Sequence, residues 1–497
     1  MTQVDQIDPH ALAHNLIKQN EREKQRHDRK KADGDGMDAD ALHGDVLPPE
    51  LHGCALTEDG VAQAFAIERG GELRFCHGPN RWHRWDGTRW KAEQTKLAFH
   101  WVRELARRMA RNADAERTRA TLGKKAFAGG VEAFAQADRA FAVTLDIWDR
   151  DPWLLGTPGG TVDLRTGELH LPSREHFITK QAAVTPAEPG VDCPIWRQFL
   201  DQITCNDREL RRYIQQLCGY ALTGDVREEC MFFLFGKGQN GKGTLLRSVA
   251  HVMGDYAIAS DMATFTVGKY DRHPAELAKL AGARLVTATE TERGRMWAWS
   301  RIKELTGNER PISARFMRRD FFEFDVTFKL VFAGNHKPHL PSTDEATARR
   351  MNLLPFNYTA RDDRDDMLKV KLADEYPAIL RWAIDGCLDW QANGLLRPQC
   401  VIEATADYLD QQDLFSQWID AECTTLPSDA DTHKALFGSW AAFATSNGEG
   451  PGSGRDFADR MREAGFKPIR HVPGDNARRG YSGVAVNRPD AADWPDP

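Results

Sequence analysis

The sequence predicts an α/β protein: a phosphate-binding core of alternating strands and helices, preceded by a mixed α+β region and followed by a helical one. Three observations carry this. Residues from about 230 to 357 alternate short apolar runs with helically spaced segments, the pattern of strands exchanging with helices across a layered sheet. Within them FGKGQNGKGTLL (Phe235–Leu246) joins the apolar run Met231–Leu234 to the amphipathic TLLRSVAHVM, which puts a glycine-rich turn between a buried strand and a helix. The region before it, from about residue 55, shows instead the short strands and tight turns of a smaller sheet.

In chain order, residues 1–54 form a charged arm in which KQNEREKQRHDRKKADGDGMDAD holds few apolar residues. Such a segment cannot bury enough surface to order itself, so a largely disordered, solvated tail is expected rather than a DNA contact. Residues 55–192 predict an α+β N-terminal domain. RWHRWDGTRW (Arg81–Trp90) alternates apolar and basic residues around Asp86-Gly87, and TVDLRTGELHL (Thr161–Leu171) turns at Arg165-Thr166-Gly167; each reads as a hairpin. KLAFHWVRELARRMA (Lys96–Ala110) between them has helical spacing and a basic face. Its aromatic and basic residues could stack on single-stranded bases, but tryptophans in the core with a solvated basic face is the simpler expectation. Residues 193–228 predict a helical collar, with CPIWRQFLDQI and DRELRRYIQQLCGYALTG as two helices and a glycine stop. Residues 229–400 hold the phosphate-binding core, and 401–497 a C-terminal helical module. There HKALFGSWAAFATSNG and RDFADRMREAGF read as helices, KPIRHV and YSGVAV as strands, and PGDNARRG as a basic turn, a winged-helix-like order.

Composition narrows the function classes. The 497 residues are 41% hydrophobic and 28% charged, which suits several ordinary cores, and no apolar run is long enough for a membrane span. With no signal-peptide pattern, a cytoplasmic location is expected. Nine scattered cysteines without a CxxC pair indicate neither a zinc site nor a disulfide framework. The net charge of −7 excludes a global basic field, so any nucleic-acid contact must come from a local patch.

The loop itself carries the chemistry. A strand–loop–helix junction offers backbone N–H groups and a positive helix end to polyphosphate, and a lysine neutralises the β and γ charge. Gly236, Gly238 and Gly241 allow close backbone approach, and Lys242 stands in the lysine position. A bare G-x4-G-K arises by chance in roughly one chain in seven of this composition, so its setting between strand and helix does the discriminating. Strict loops follow the lysine with Ser or Thr; here Gly243 follows, then Thr244. Thr244 could hold magnesium from a shifted backbone, water could replace the hydroxyl, or Thr244 could contact the α-phosphate.

An ATPase also needs a carboxylate on a neighbouring strand. In ARLVTATETE the strand-like Ala283–Ala288 is followed by Glu290 and Glu292. IKELTGNERPISARFMRRDFFEF then reads as a helix and a hairpin whose turn carries Arg318 and Arg319. FKLVFAGNHKP is a strand ending at Asn335, and EATARRMNLLPF puts paired arginines before another strand. Taken singly, Asn335 could cap a helix and Arg349 could pair with Asp344; the ordered set of five elements is what points to an ATPase.

On these motifs the chain resembles the superfamily 3 helicase module of the phage and plasmid primase–helicase family, the satellite-phage replication protein type. Its loop is similar to the family's G-x-G-x-N-G-K-G/S-T, which tolerates glycine after the lysine. ETE resembles the second acidic motif, GNHKP the third motif, and Arg350 falls on the arginine finger. IKELTGNERPISAR resembles K-x-L-T-G-G-D-x-I-x-A-R, with Asn308-Glu309 replacing Gly-Asp. GTVDLRTGEL, CPIWRQFL and GYALTG resemble the upstream collar region, and the likeness covers approximately residues 70–425. It implies an AAA+-like P-loop ATPase core that unwinds DNA with ATP and Mg2+, assembled as a hexameric ring on single-stranded and forked DNA.

By that resemblance Gly236, Gly238, Asn240, Gly241, Lys242, Gly243 and Thr244 bind the nucleotide. Lys242, Glu290, Glu292, Asn335 and Arg350 are catalytic, and Thr244 and Glu290 hold the metal. Arg315, Arg318 and Arg319 grip DNA in the channel, although Arg315 could equally pair with Glu309 and brace the hairpin. Full-length members often carry a primase domain; neither its acidic triad nor a zinc ribbon is found here, and fewer than 60 residues precede the N-terminal α+β domain. Helicase activity without primer synthesis is expected; a separate primase could be a partner, which the sequence does not decide. The rivals are a small-molecule kinase, which shares the loop and the acid but needs neither GNHKP nor the finger, and an ATP-binding DNA initiator or defence protein without processive unwinding.

Overall fold

A computed structural model describes residues 48–51, 53–267, 275–289, 295–307, 310–316, 320–340, 345–359, 365, 367–412, 414–446, 450–473 and 478–487. The chain divides into two compact units, Met1–Arg84 with Ala92–Leu145, and Trp85–Lys91 with Asp146–Pro497. The charged arm up to residue 47 lies outside the described residues.

In the first unit, helices Glu58–Arg69, Leu97–Arg111 and Lys125–Ala137 enclose a core of Phe65, Trp101, Leu105, Phe127 and Phe141. Strand Leu73–Cys76 pairs antiparallel with the start of Arg81–Trp85 and parallel with Ala142–Val143. The basic helix follows the simpler expectation. Trp101, Val102, Leu105 and Met109 are buried, Arg103 and Arg107 face solvent, and Arg108 bonds Glu68 at 2.7 Å. Trp82 is buried too, with Nε1 donating to Glu132 at 3.0 Å, so these rings pack the core and do not present faces to bases.

The second unit contains the expected second hairpin, Gly160–Asp163 with Glu168–His170, extended by Leu154–Thr157. Its collar helices are α1 (Pro194–Ile203), α2 (Arg208–Leu222) and, later, α4 (Tyr376–Asn393), with α3 (Lys242–Met253) following the glycine-rich loop. Asp207 caps α2 through bonds from the backbone N–H of Glu209 and Leu210, as a short acidic side chain at a helix start should. Glycines allow α2 and α4 to cross closely: a Cβ at Gly219 would lie 2.0 Å from the Cys387 backbone nitrogen, and one at Gly386 2.2 Å from the Gln215 carbonyl. Either Gly→Ala change would force the helices apart.

The core sheet comprises β1 (Met231–Phe235), β2 (Ala257–Ala259), β3 (Leu285–Thr289), β4 (Lys329–Gly334) and β5 (Met351–Pro355) in the order 5-1-4-3-2, every pairing parallel. The continuous apolar run MFFLF follows from burial on both faces. Phe232 and Leu234 pack with Leu217, Leu245 and Val249 on the collar side, while Met231 and Phe233 pack with Trp297, Ile302 and Phe332 on the other. Each such buried side chain stabilises the fold by about 1.5–3 kcal/mol before cavity costs are counted. Because the strands run parallel, all their C-terminal ends lie along one edge, where the loops following β1, β3 and β4 emerge.

The C-terminal segment follows the expected order, with helices His433–Ser446 and Gly454–Glu463 and strands Lys467–Ile469 and Gly480–Ser482. A further strand, Ala430–Thr432, pairs with Gly480–Ser482 and completes three strands around a core of Trp418, Trp440, Phe457 and Tyr481. It was illegible in sequence because three residues carry no periodicity. Among the described residues no helix is long and apolar enough to cross a membrane, and no cluster of His, Cys, Asp or Glu could hold a metal ion. Burial pushes the Cys218 and Cys230 thiols up to about 12, which leaves them inert.

Candidate nucleotide site

The loop after β1 is built by positive φ angles and glycine clearance. Gln239 (φ 63°) and Gly241 (φ 83°) turn the chain into α3. Gly241 is indispensable twice over, since a Cβ there would also stand 2.3 Å from Ile203 Cγ2 of α1. At Gly236 a Cβ would meet the Phe356 carbonyl at 2.2 Å. Asn240 is buried at 3% exposure and pins the loop from within: its Nδ2 donates to Phe356 O at 3.1 Å and its Oδ1 accepts from Lys242 Nζ at 2.9 Å. Its side chain is thus engaged internally.

Lys242, at 6% exposure, donates to Gly236 O (2.7 Å), Asn240 Oδ1 (2.9 Å), Asn335 Oδ1 (3.3 Å) and Lys237 O (3.4 Å). All four acceptors are neutral, so the ammonium is hydrogen-bonded but not charge-compensated. Desolvation therefore pulls its pKa from 10.5 down to about 8. The parallel register explains how Asn335 arrives: Gly334 of β4 lies opposite Phe235 of β1, so the residue after each strand emerges at the same edge. Together Gly238–Thr244, Arg247 and Asn335 line a cavity of about 310 Å³.

A titration follows from this geometry. A polyanion in the cavity restores the charged lysine, so binding takes up a proton at pH values above about 8. Affinity for ATP or inorganic tripolyphosphate is expected to be flat below about pH 7, then to fall towards roughly tenfold per unit as pH rises through the lysine's range. Calorimetry in buffers of different ionisation enthalpy measures the proton directly. Flat affinity from pH 7 to 9.5 would contradict the assignment.

The other sequence-derived residues fall as follows. Thr244 lines the cavity, its N–H bonded to Gly241 O at 3.0 Å, and Gly243 is exposed. Glu290 and Glu292 lie outside the described residues, directly after the end of β3 at Thr289. The hairpin of Ile312–Ala314 with Phe322–Phe324 is present, but Arg318 and Arg319 lie outside the described residues, as does Glu309. Arg315 stacks its guanidinium 4.9 Å from the Phe321 ring centre. Arg350 is not in the cavity. It precedes β5, whose first residue pairs with the first of β1, and its guanidinium bonds Glu229 and Ala346 O at 3.4 Å. Arg247 belongs to no motif; the one signal for it is its place four residues after Gly243, on the same helix face.

Comparison with known proteins supplies the setting. Residues 62–205 match the family model described as D5 N terminal like, and residues 234–350 match a family of unknown function, DUF5906. A putative helicase of Acanthamoeba polyphaga mimivirus is 25% identical over 294 residues, 54% of this chain and 30% of that protein. A putative helicase of invertebrate iridescent virus 6 is 25% identical over 45% of this chain and 24% of its own length. A putative primase of African swine fever virus (isolate Warthog/Namibia/Wart80/1980) is 28% identical over 48% of this chain and 25% of its own length. The chain therefore spans less than a third of the curated relatives it matches. Among solved structures, the apo NrS-1 C terminal region has a TM-score of 0.49 at 10% identity, covering 86% of this chain and 98% of that one. The D5-type match and the helicase- and primase-named viral relatives support the phage and viral primase–helicase family as the setting of this chain.

Proposed function

We propose that this chain is the ATPase motor of a replication helicase of the phage and viral primase–helicase kind, with an AAA+-like core assembled as a ring around single-stranded DNA. The observation that carries the reading is the convergence of Lys242 and Asn335 at the C-terminal edge of a parallel sheet in 5-1-4-3-2 order. That order leaves β4 beside the loop strand β1, so the polar residue after β4 stands next to the loop. In this reading the loop amides and Lys242 hold the β and γ phosphates of ATP, and Asn335 orients the attacking water.

The chemistry of the donors suits magnesium: the Thr244 hydroxyl residue lines the cavity, and the carboxylate residue Glu290 is next in sequence after β3. These two would hold the ion, which neutralises charge on the phosphate oxygens when bound. Arg315, Arg318 and Arg319 grip the strand in the channel, a local basicity compatible with the net charge of −7. Gly243, which puts no hydroxyl directly after the lysine, favours one second reading, an ATP-holding initiator that does not unwind. ATP turnover by the purified chain, with and without single-stranded DNA, together with strand displacement on a forked duplex, tests the proposal. Stimulated turnover with displacement is expected. Nucleotide binding without displacement supports the initiator, and phosphoryl transfer to a small molecule supports a kinase.

A further inference from the structure

The loop cavity does not end at the loop. A second cavity of about 690 Å³ adjoins it, and the two share Gln239, Gly241, Thr244 and Arg247 along their boundary. The larger one is walled by Phe199 and Ile203 of α1 on one side and by Tyr358 and Leu368 on the other, with the Gln198 and Gln202 amides one helical turn apart. The contact of Ile203 and Phe199 with Gly241 joins α1 to the loop, so the wall and the phosphate cradle are one construction.

A nucleoside triphosphate has two unlike ends, a polyanion and a flat, largely apolar base with a few hydrogen-bonding edges. The smaller cavity, lined by amides, glycines and a lysine, matches the first. The larger, with apolar and aromatic walls and convergent amides, matches the second. Arg247 stands at their junction. Its Nη2 lies 3.6 Å from where a Cβ on Gly243 would be, so a branched hydroxyl side chain at 243 would compete for the guanidinium's space. Among the described residues no hydrogen bond or ion pair holds Arg247, whereas Lys242 is already bound by four oxygens and Lys371 by Asp365.

We propose that the two cavities are one bipartite nucleotide cleft. The larger cavity takes the nucleoside end, and Arg247 binds the phosphate at the junction, in space that Gly243 leaves open. This rests on the loop being a nucleotide site, as proposed above, and adds a residue and a subsite to it.

Binding of ATP and of inorganic tripolyphosphate to the full chain, each with magnesium, tests it in three variants. Gln202 and Arg247 are exposed, so Gln202→Trp and Arg247→Ala leave the core untouched, and thermal melting checks that they do. Gln202→Trp puts an indole at the mouth of the larger cavity and narrows it, and should weaken ATP binding by at least about tenfold while sparing tripolyphosphate. Arg247→Ala should weaken both probes by about 10- to 100-fold, the value of a charged hydrogen bond, with Arg247→Lys recovering part. If both variants bind ATP as the unmodified chain does while Lys242→Ala binds neither probe, the cleft and the role of Arg247 are wrong and the loop assignment stands. If the unmodified chain binds neither probe, the loop assignment fails and takes the cleft with it.

Discussion

Lys242→Ala is expected to lower ATP turnover by about a hundred- to a thousandfold while leaving the fold intact. The loss follows from removing a preorganised cation from the position where phosphate charge develops during transfer, a contribution of about 3–4 kcal/mol in a water-poor site. Preservation of the fold follows from the lysine's surroundings. Its acceptors are neutral and desolvation already disfavours its charge, so the free protein holds it at a cost and loses little when it goes. Turnover by the variant is compared with its thermal melting curve. Turnover near that of the unmodified chain would remove the loop from the chemistry, and a collapsed melting temperature would show that Lys242 braces the loop through Gly236, Asn240 and Asn335.

How far this site was legible in sequence follows from the range of the interactions that build it. The strand, loop and helix of Met231–Met253 are set by residues within a few positions of one another: an apolar run buried on both faces, a glycine at a left-handed angle (Gly241) and an amphipathic helix. These are visible as periodicity and composition. Asn335 was reachable because the end of an apolar strand is readable, although its pairing with Lys242 is not. The remainder depends on contacts between distant segments. Asn240 bonds Phe356 across 116 positions, and Arg350 bonds Glu229 across 121, so nothing local announces that one side chain is turned inward and the other held in a pair. The wall of the larger cavity is hidden for the same reason. Phe199 and Ile203 have the spacing of any amphipathic helix, and only the approach of α1 to Gly241 brings them to the wall of the cavity beside the loop.

Arg350→Ala is the substitution that separates a ring motor from a monomeric enzyme. Within one chain Arg350 stands at the start of β5, and the loop begins after the end of β1. Parallel pairing from Met351 opposite Met231 to Pro355 opposite Phe235 puts five residues of strand between them. At about 3.3 Å per residue that is roughly 16 Å, farther than an arginine side chain extends. Arg350 therefore cannot serve its own chain's loop. If it stabilises transition-state charge at all, it does so at a neighbour's, and its loss should cost on the order of 10³-fold in turnover while leaving ATP binding at Lys242 intact. Mixing Arg350→Ala with Lys242→Ala subunits should then restore part of the activity, because some interfaces bring an intact loop against an intact arginine. The competing role is that of a strut: both arginines pair with Glu229, Arg350 at 3.4 Å with its guanidinium mostly enclosed and Arg349 at 3.5 Å with its side chain 67% exposed. Glu229→Gln decides between them. A strut needs the ion pair, so this change would lower stability and turnover as Arg350→Ala does, and mixing would rescue nothing. A finger gains freedom when the pair is broken, so Glu229→Gln would retain turnover. Absence of rescue together with full activity in Arg349→Ala would leave no arginine of this pair acting between subunits, and the ring reading would fail with it.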